Sequence, residues 1–552
     1  MLRTNGWKLL SLWVVVLGGA AFVLFLVPAQ SDFRGALLNS SILAAGAATI
    51  SLPLGALLAI LITRFDLPGR SIAAACMGVL LFLPLYVQLS GWDAAFGKLG
   101  WYSLSHGSLA MPLLAGMRGA IFVHGIAAVP WVALLVGIGL SQVDPTQEEA
   151  ALLVAPPPVV LWRITLPQAL PSIIAALIWT TVSTTSEMTV TNIYLINPSQ
   201  WTYTERFYMR LASAEVGGAT MAVLPGALAL AIVVVIALSI VARLSSRRRL
   251  AMPSRPVTFS TGRGRPVLTG LLWLIVIVLL GIPAASLISK AGFVVRHEGG
   301  TRIAAWSAAV CFREVASAPV RFSREFLGTA AVAFGAATIA VIAGSLLAWQ
   351  ARRGGWRSWP AILFVALGLA IPGPLVGAAL IQLLNHDLPP AIQLADGTSK
   401  SWLLLLYDNT PLAPIVAQAV RALPLATMLL WHSFATLGDD VLAAAALDGC
   451  TPRQVFWRVA LPQRWRAILA AWIVAFAVAA GDLAWAHLVT PPGLDLLQRR
   501  VFGLVHSGVE EQVAAISLVN ILVYALLATL VMWLLQRLKP SRSPLRSLPV
   551  QS

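Results

Sequence analysis

Long apolar segments recur through the whole chain and constrain its fold more than any other feature. Each is rich in Leu, Val, Ile and Ala, and a helix needs about 20 mostly apolar residues to cross the hydrocarbon of a bilayer. Charged residues make up 11% of the chain, against roughly 25% in ordinary soluble domains. The sequence therefore predicts an all-α protein with about twelve membrane-spanning helices. The predicted spans are Leu9–Val27, Leu37–Ile62, Ser71–Ser90, Gly119–Leu140, Ile174–Ile196, Ala219–Val241, Val267–Ile288, Phe326–Trp349, Ala361–Leu384, Pro414–Leu437, Leu469–Val489 and Ala514–Leu535.

A basic connector divides the spans into two sets of six. We assign residues 1–242 to the first half, 243–266 to the connector, 267–538 to the second half and 539–552 to a C-terminal tail. Most Arg and Lys side chains between the spans fall on one side if both termini are cytoplasmic, which is the orientation that positive charge favours. The loop Lys290–Glu325 carries several arginines on the other side and is predicted to form a small external element.

Three features of the sequence argue against a cleaved signal peptide, a nucleic-acid partner and a metal site. Basic residues before the first apolar run resemble a signal peptide, but the following Pro28-Ala29-Gln30 is a poor cleavage site, so we expect the first helix to be retained. The net charge of +16 would suit nucleic acid, yet no basic helix interleaved with aromatics lies outside the spans, so we expect no nucleic-acid partner. The three cysteines and seven histidines have no metal-site spacing, and no metal site is predicted.

A polar loop interrupts the apolar pattern once in each half, and the two copies share one sequence pattern. The first copy covers residues 144–172 and the second covers residues 438–467; we call them the first and second repeated loops. Each contains acidic residues, an Ala-rich stretch, a break and a basic amphipathic stretch that ends in Leu-Pro. The pattern predicts a helix, a sharp turn and a second helix along the membrane surface. In the second loop, Asp448-Gly449 predicts the end of the first helix, and Thr451-Pro452 predicts the start of the next.

The pattern Glu-Ala-Ala, three residues, Gly, then Ile-x-Leu-Pro resembles the EAA loop of permease subunits of binding-protein-dependent ATP-binding-cassette (ABC) importers. The first loop supplies Glu149-Ala150-Ala151 but has Ala155 in place of Gly. The second supplies Ala444-Ala445 and Gly449 but has Ala443 in place of Glu. The resemblance extends over nearly the whole chain.

This resemblance implies a type I ABC importer permease fold with two parallel six-helix halves. It also implies two cytoplasmic ATPase subunits seated on the repeated loops and an extracytoplasmic substrate-binding protein as partners. ATP and Mg would belong to the ATPase, because this sequence has no G-x-x-x-x-G-K-S/T phosphate loop. We therefore expect no catalytic residue and no cofactor in this chain. The residues implied in ATPase coupling are Glu148, Glu149, Ala150, Ala151, Ala155, Leu166, Pro167, Ala444, Ala445, Asp448, Gly449, Leu461 and Pro462.

Carboxylates follow each repeated loop at equivalent positions, Glu187 in the first half and Asp482 in the second. Carboxylates within spans are costly in hydrocarbon and usually face a bundle interior or a cavity. These two either line and gate the transport path or hold helices together through hydrogen bonds with neighbouring Thr and Ser. Tyr203, Glu205 and Asp495 are predicted just outside the membrane, either on the path or on a surface that docks the binding protein.

The fused halves and the segments after each loop are similar to fused permeases of ferric-iron importers, with thiamine importers as close relatives. Ferric iron prefers hard oxygen ligands, which acidic and Tyr side chains supply, so iron is the substrate expected first. Thiamine, an oxyanion or a polyamine are the alternatives. A secondary transporter and a non-transporting membrane scaffold are the alternatives of another class. The expected location is the bacterial inner membrane.

Overall fold

A computed structural model describes residues 32–106, 112–212, 227–228, 230–232, 234–235, 257–259, 261–298, 301–385, 391–393 and 399–536. Within this part of the chain, seven helices are long and apolar enough to cross a membrane, and three further pairs of helices, each sharply bent at a short break, bring the total to ten. These ten match ten of the twelve predicted spans. The predicted span Leu9–Val27, most of Ala219–Val241 and the C-terminal tail lie outside the described residues. The prediction of a mostly helical, multi-span membrane protein is confirmed.

The first half contains ten helices whose bounds the structure describes, and residues 227–228, 230–232 and 234–235 are also helical. They are α1 (Asp32–Arg64), α2 (Arg70–Phe82), α3 (Leu85–Phe96), α4 (Trp101–Ser105), α5 (Gly116–Ser141), α6 (Pro145–Leu152), α7 (Pro157–Val160), α8 (Leu166–Ser186), α9 (Thr189–Tyr194) and α10 (Tyr203–Ala212), with a π-helical stretch over Leu161–Thr165 and a 3-10 turn over Pro198–Gln200.

A 3-10 turn over Gly262–Gly264 lies in the connector, and fourteen helices and two short hairpins follow it in the described residues. They are α11 (Arg265–Val276), α12 (Ile282–Ala291), β1 (Phe293–Glu298), β2 (Thr301–Trp306), α13 (Ala308–Arg321), α14 (Ser323–Ala351), α15 (Trp359–Ala370), α16 (Gly373–Leu384), β3 (Ala391–Gln393), β4 (Ser399–Ser401), α17 (Trp402–Asn409), α18 (Leu412–Ala435), α19 (Asp439–Leu447), α20 (Pro452–Gln454), α21 (Leu461–Gln463), α22 (Trp465–Gly481), α23 (Leu497–His506) and α24 (Glu510–Gln536), with a 3-10 turn over Gly355–Ser358 and π-helical stretches over Ile277–Gly281 and Val455–Ala460.

Proline breaks one span in each half at an equivalent place. Helices α2 and α3 meet at 104° with Pro84 as the first residue before α3, and α15 and α16 meet at 102° with Pro372 in the same position. Proline removes a helical hydrogen bond and restricts the backbone of the residue before it, so the chain turns at both places. The sequence predicted each segment as one span, and the structure corrects this to a bent pair.

Small residues bring equivalent helices close together in the two halves. A Cβ added at Gly55 on α1 would lie 2.5 Å from Val132 on α5, and one added at Gly344 on α14 would lie 3.2 Å from the backbone N of Thr427 on α18. Both α1–α5 and α14–α18 are therefore close-packed pairs, as small residues permit in membrane helices.

The first and last spans of the second half pack against the first half rather than only against their own. Helix α11 contacts α2, α12 contacts α3, and α24 contacts both. A large apolar core accordingly contains Leu80 and Trp92 from the first half together with Leu272 and Tyr524 from the second. The two halves thus share one core.

The segment predicted as a small external element is folded. Strands β1 and β2 pair antiparallel, with Phe293 opposite Trp306, and α13 follows directly. Helix α13 is capped by the side chain of Ser307, a residue type that favours helix starts.

Candidate site at the repeated loops and the inter-half cavity

The first repeated loop begins with helix α6, which Asp144 caps. The carboxylate of Asp144 accepts hydrogen bonds from the hydroxyl and the backbone N–H of Thr146, at 2.7 and 3.0 Å. These bonds lower the pKa of Asp144, because they favour its charged form. After a turn, α7 runs through the π-helical stretch into α8, and the whole of Pro157–Ser186 is one span. The helix–turn–helix prediction is confirmed, but the second helix belongs to the span and does not lie apart from it.

The second repeated loop has the same order of elements with a different junction. Helix α19 ends with the N–H groups of Gly449 and Cys450 donating to the carbonyls of Ala446 and Ala445, at 3.1 and 3.0 Å. Gly449 has a φ of +73°, and this pair of bonds with a left-handed glycine is a Schellman helix end. The predicted helix stop is confirmed.

The next helix of the second loop starts at a capping box and then bends. The side chain of Thr451 accepts from the N–H of Gln454, whose side chain accepts from the N–H of Thr451, so both orphan donors are satisfied. The chain turns by 77° between α21 and α22 at Arg464. The corresponding stretch of the first loop continues as one span, so the two loops join their spans differently.

Solvent-exposed apolar side chains lie at the turn of each repeated loop. Leu153 and Val154 are 86% and 88% exposed in the first loop, and Leu447 is 90% exposed in the second. An exposed apolar patch rimmed by polar groups is typical of an interaction surface.

The residues predicted for ATPase coupling divide by exposure. Glu149, Ala150, Ala444, Asp448, Gly449 and Pro462 are exposed, whereas Ala151, Ala155, Leu166, Pro167 and Leu461 are half-buried, and Glu148 and Ala445 are buried. Because the Glu148 carboxylate is buried, it cannot contact a partner protein in this conformation. It faces inward, where one oxygen accepts from Arg64 at 2.8 Å and the other accepts from the hydroxyl of Thr165 at 2.5 Å. Glu148 joins the loop to the helix bundle.

A cavity of about 150 Å³ lies between the two halves. Its walls include Pro84 at the α2–α3 break, Glu187 after α8, and Asp482 after α22. Both carboxylates stand where a span ends, because α8 stops at Ser186 and α22 stops at Gly481 with the next residue extended. The two predicted spans Ile174–Ile196 and Leu469–Val489 are therefore too long by several residues at their C-terminal ends, and this is a correction.

Glu187 is held mainly by backbone donors. Its carboxylate accepts from the N–H groups of Thr189 and Val190, at 2.7 and 3.2 Å, which are the unpaired donors at the start of α9. The Nε2 atom of His124 lies 3.7 Å from the same carboxylate. Among the residues that the structure describes, His124 is the only basic side chain within 4 Å of it. The Glu187 side chain remains 13% exposed.

Asp482 is paired with a cation. Its carboxylate accepts from the Nε of Arg421 on α18 at 3.0 Å and from the N–H of Ala484 at 3.0 Å, and its carbonyl accepts from the Gln418 side chain at 2.7 Å. An ion pair of this kind is common for charged groups at membrane depth. The cavity therefore holds two carboxylates but only one arginine, Arg421, among the residues of its wall.

Two tryptophans complete one side of the cavity. Trp131 on α5 and Trp179 on α8 both belong to its wall, and their ring centroids are 4.6 Å apart at an interplanar angle of 35°. Indole rings attract cations through their negative faces. The Glu187 carboxylate and the paired indoles line one cavity, which makes it an environment suited to an organic cation.

The other predicted path residues lie elsewhere. Tyr203 and Glu205 are buried, at 6% and 0% exposure, and Glu205 accepts from Asn192 at 2.5 Å and from Thr191 at 3.2 Å. Their burial corrects the expectation that they lie on a surface that docks a binding protein. Asp495 is exposed, and it does not line the cavity between Glu187 and Asp482. Within the described residues, no group of three or more His, Cys, Asp or Glu side chains is placed to hold a metal ion.

Sequence reasoning missed four residues of the cavity wall and one residue of the first loop junction. Arg421 and His124 stand inside predicted spans, where an ionisable residue is itself a signal of function, so they could have been found. Trp131 and Trp179 resemble ordinary apolar residues of a span. Arg64 resembles an orientation-setting charge at a span end, and only the structure shows that it is completely buried.

Comparison with known proteins bears on the second half. Residues 340–544 match the family described as the binding-protein-dependent transport system inner membrane component. This part of the chain is similar to that family of permease components. The match includes the second repeated loop and Asp482, so the resemblance of that loop to an importer permease is supported independently.

Individual relatives are each similar to about a third of the chain. The putrescine transport system permease protein PotI of Escherichia coli (strain K12) is 29% identical over 190 residues, which are 33% of this chain and 61% of PotI. The spermidine/putrescine transport system permease protein PotC of Haemophilus influenzae is 25% identical over 205 residues, which are 36% of this chain and 71% of PotC. The chain thus matches less than two thirds of the PotI length.

Proposed function

We propose that this chain is the transmembrane permease subunit of an ATP-driven ABC importer, with both permease halves in one polypeptide. The observation that carries the proposal is the pair of repeated loops, each with a helix, an exposed apolar turn and a second helix leading into a span. The permease-type match over residues 340–544 supports it. Two ATPase subunits would bind the repeated loops on the cytoplasmic side of the inner membrane. Both termini would lie on that side, and a binding protein would deliver substrate to the opposite side.

The substrate class we propose is a small organic polycation of the polyamine type. Two relatives carry putrescine or spermidine in their names, and Glu187, which no arginine pairs within the described residues, lines the same cavity as the indoles of Trp131 and Trp179. Ammonium groups are recognised by carboxylates and by aromatic faces. Ferric iron, the substrate expected first from the sequence, has no support from these relatives. It therefore yields its place to the polyamine alternative.

The role we assign to the cavity is transit between two access states. ATP-driven closure of the ATPase pair would move the repeated loops and, with them, the spans that end at Glu187 and Asp482. A ligand or nucleotide shifts such an equilibrium only through its different affinity for the two states. Each carboxylate lies at the end of a span leading from a loop, so loop movement reaches the cavity through α8 and α22.

Reconstitution tests the proposal. The purified chain is placed in liposomes with an ABC ATPase of the same organism, and uptake of radiolabelled putrescine and of ferric iron is measured with a substrate-binding protein of that organism. Putrescine uptake that requires ATP supports both importer and substrate class. ATP-dependent uptake of iron alone would keep the importer and overturn the polyamine. ATP-independent, gradient-driven uptake would indicate a secondary transporter, and ATPase binding without uptake would indicate a scaffold.

A further inference from the structure

A single buried arginine joins the first repeated loop to the connector between the halves. The guanidinium of Arg64, at the end of α1, donates through Nη1 to Glu148 at 2.8 Å and to the carbonyl of Val257 at 3.1 Å. Its Nη2 donates to the carbonyl of Leu140 at 2.5 Å. The side chains of Arg64 and Glu148 are both 0% exposed. One planar fork, whose donors have fixed directions, therefore positions the end of α5, the first repeated loop and the connector together.

The contact between connector residues 257–259 and the end of α1 does not depend on the Arg64 guanidinium alone. The N–H of Phe259 donates to the carbonyl of Arg64 at 2.8 Å, and Phe65 and Phe259 form a parallel bridge with ring centroids 6.1 Å apart. Phe259 is only 3% exposed, whereas its neighbour Thr258 is exposed. The segment 257–259 is thus held on the first half by a buried ring, by the backbone hydrogen bond from Phe259 to Arg64, and by the hydrogen bond from the Arg64 guanidinium to the carbonyl of Val257.

The second half shows that a repeated loop can be held without an ion pair. Leu442 and Ala460 take the sequence positions that Glu148 and Thr165 take in the first loop, and both pack in an apolar cluster with Phe434. Buried ion pairs are commonly no more stabilising than apolar contacts of similar volume. Holding the loop therefore does not by itself account for the polar junction of the first half. The junction differs from the apolar cluster in reaching the connector.

We propose that residues 257–259 act as a latch that holds the first repeated loop in its docked position through Arg64. The docked segment covers Arg64 and keeps water away from the Arg64–Glu148 pair, and a hydrogen bond is electrostatically stronger in such a low-dielectric place. Release of the segment admits water, weakens the pair and loosens the loop; by linkage, movement of the loop weakens the segment's docking in return. Arg64 is a positioning residue in this scheme. The latch would regulate ATPase coupling, and in that respect it rests on the proposed function.

The test uses a cysteine that reports on loop docking without any partner. In the full chain with Cys76, Cys311 and Cys450 changed to Ser, a Val143→Cys variant places a thiol in the 3%-exposed position just before the first loop. Its labelling rate by a maleimide is measured for the purified protein in detergent. Adding Phe259→Ala is expected to raise the rate at least about tenfold, because truncating a buried phenyl ring costs more than the 1.4 kcal/mol that corresponds to tenfold. Adding Thr258→Ala is the matched control and should leave the rate unchanged.

A second reporter separates release of the latch from general unfolding. Ala471→Cys lies at a 0%-exposed position in the second half and should stay unlabelled in the Phe259→Ala protein. An unchanged Val143→Cys rate in the Phe259→Ala protein would overturn the latch. Equal acceleration at both cysteines would also overturn it, because the effect would then be global. The labelling needs neither ATPase nor substrate, so a positive result stands even if the chain proves not to be an importer.

Discussion

The buried pair of Arg64 and Glu148 predicts strongly non-additive effects of substitution. Arg64→Met leaves the Glu148 carboxylate fully buried with the hydroxyl of Thr165 as its remaining partner. Glu148→Leu leaves a buried guanidinium with only the carbonyls of Leu140 and Val257. Removing one partner of a buried ion pair typically costs about 3–5 kcal/mol. Each single variant is therefore expected to lose about that much in the free energy of unfolding.

The double variant R64M/E148L should be more stable than either single variant. It creates an apolar junction of the kind that Leu442 provides in the second half, and apolar replacement of a buried pair is often neutral or stabilising. The carbonyl of Val257 would lose its guanidinium donor, at a cost of about 1–3 kcal/mol. The double variant is thus expected to lie below the parent by that amount, with a coupling energy between the two substitutions of at least about 2 kcal/mol.

Unfolding of the purified chain by SDS in mixed micelles gives the four free energies of this double-mutant cycle. Glu149→Leu serves as the matched control, because Glu149 is the neighbouring exposed carboxylate and should change stability by less than about 0.5 kcal/mol. Single-variant costs below about 1 kcal/mol, the range of exposed pairs, would refute the reasoning. So would costs that add without coupling.

Three further outcomes are expected. Glu187→Gln should lower cation uptake by roughly tenfold or more while ATPase binding persists, since one charge-assisted contact is worth about 1.5–3 kcal/mol. Glu205→Gln is the control in the same uptake assay, because Glu205 is a buried carboxylate that does not line the cavity. Gly449→Val should weaken ATPase association in co-purification, because φ of +73° strains a β-branched residue by about 1–2 kcal/mol or more; Gly438→Ala, at φ of −62°, should associate normally. Hydrogen bonds lower the pKa of Asp144, so its capping of α6 is complete above the unfolded-state pKa and is lost as the pH falls through the lower folded-state value. Amide hydrogen exchange in α6 should accelerate over that pH range, and an Asp144→Ser cap should remove the dependence.

The sequence predicted the helices of this protein far better than it predicted where they bend. Apolar length locates a span because hydrocarbon thickness sets it, and all ten spans of the described residues follow from that rule. Apolar length does not show whether a helix breaks inside an apolar run. Leu83-Pro84 and Ile371-Pro372 therefore read as continuous spans, although the helices on either side meet at 104° and 102°.

The candidate site was predicted where a local rule applied and missed where contact between distant segments decided it. Gly449 as a helix stop followed from local sequence. The equivalent positions of Glu187 and Asp482 suggested a common role, but the sequence left open whether they line a path or hold helices together, and the structure shows that both line one cavity. The pairing of Arg421 with Asp482 joins two spans that are distant in sequence. Burial of Arg64 depends on a connector segment nearly two hundred residues away. Such contacts leave no pattern in the neighbouring sequence.

The two halves have equivalent helices, but their repeated loops are attached to the helix bundle by different kinds of contact. The first loop continues into its span without a bend and is fixed by the directional bonds of Arg64, whereas the second bends by 77° at Arg464 and rests on an apolar cluster around Phe434. Directional hydrogen bonds are lost over a small displacement, while apolar packing tolerates sliding of side chains. If ATPase subunits press on these loops, as we propose, they would therefore meet unequal resistance. The order in which Glu187 and Asp482 change their exposure to the two sides of the membrane would follow from that inequality, with the second loop yielding first and the first loop yielding when its latch is released.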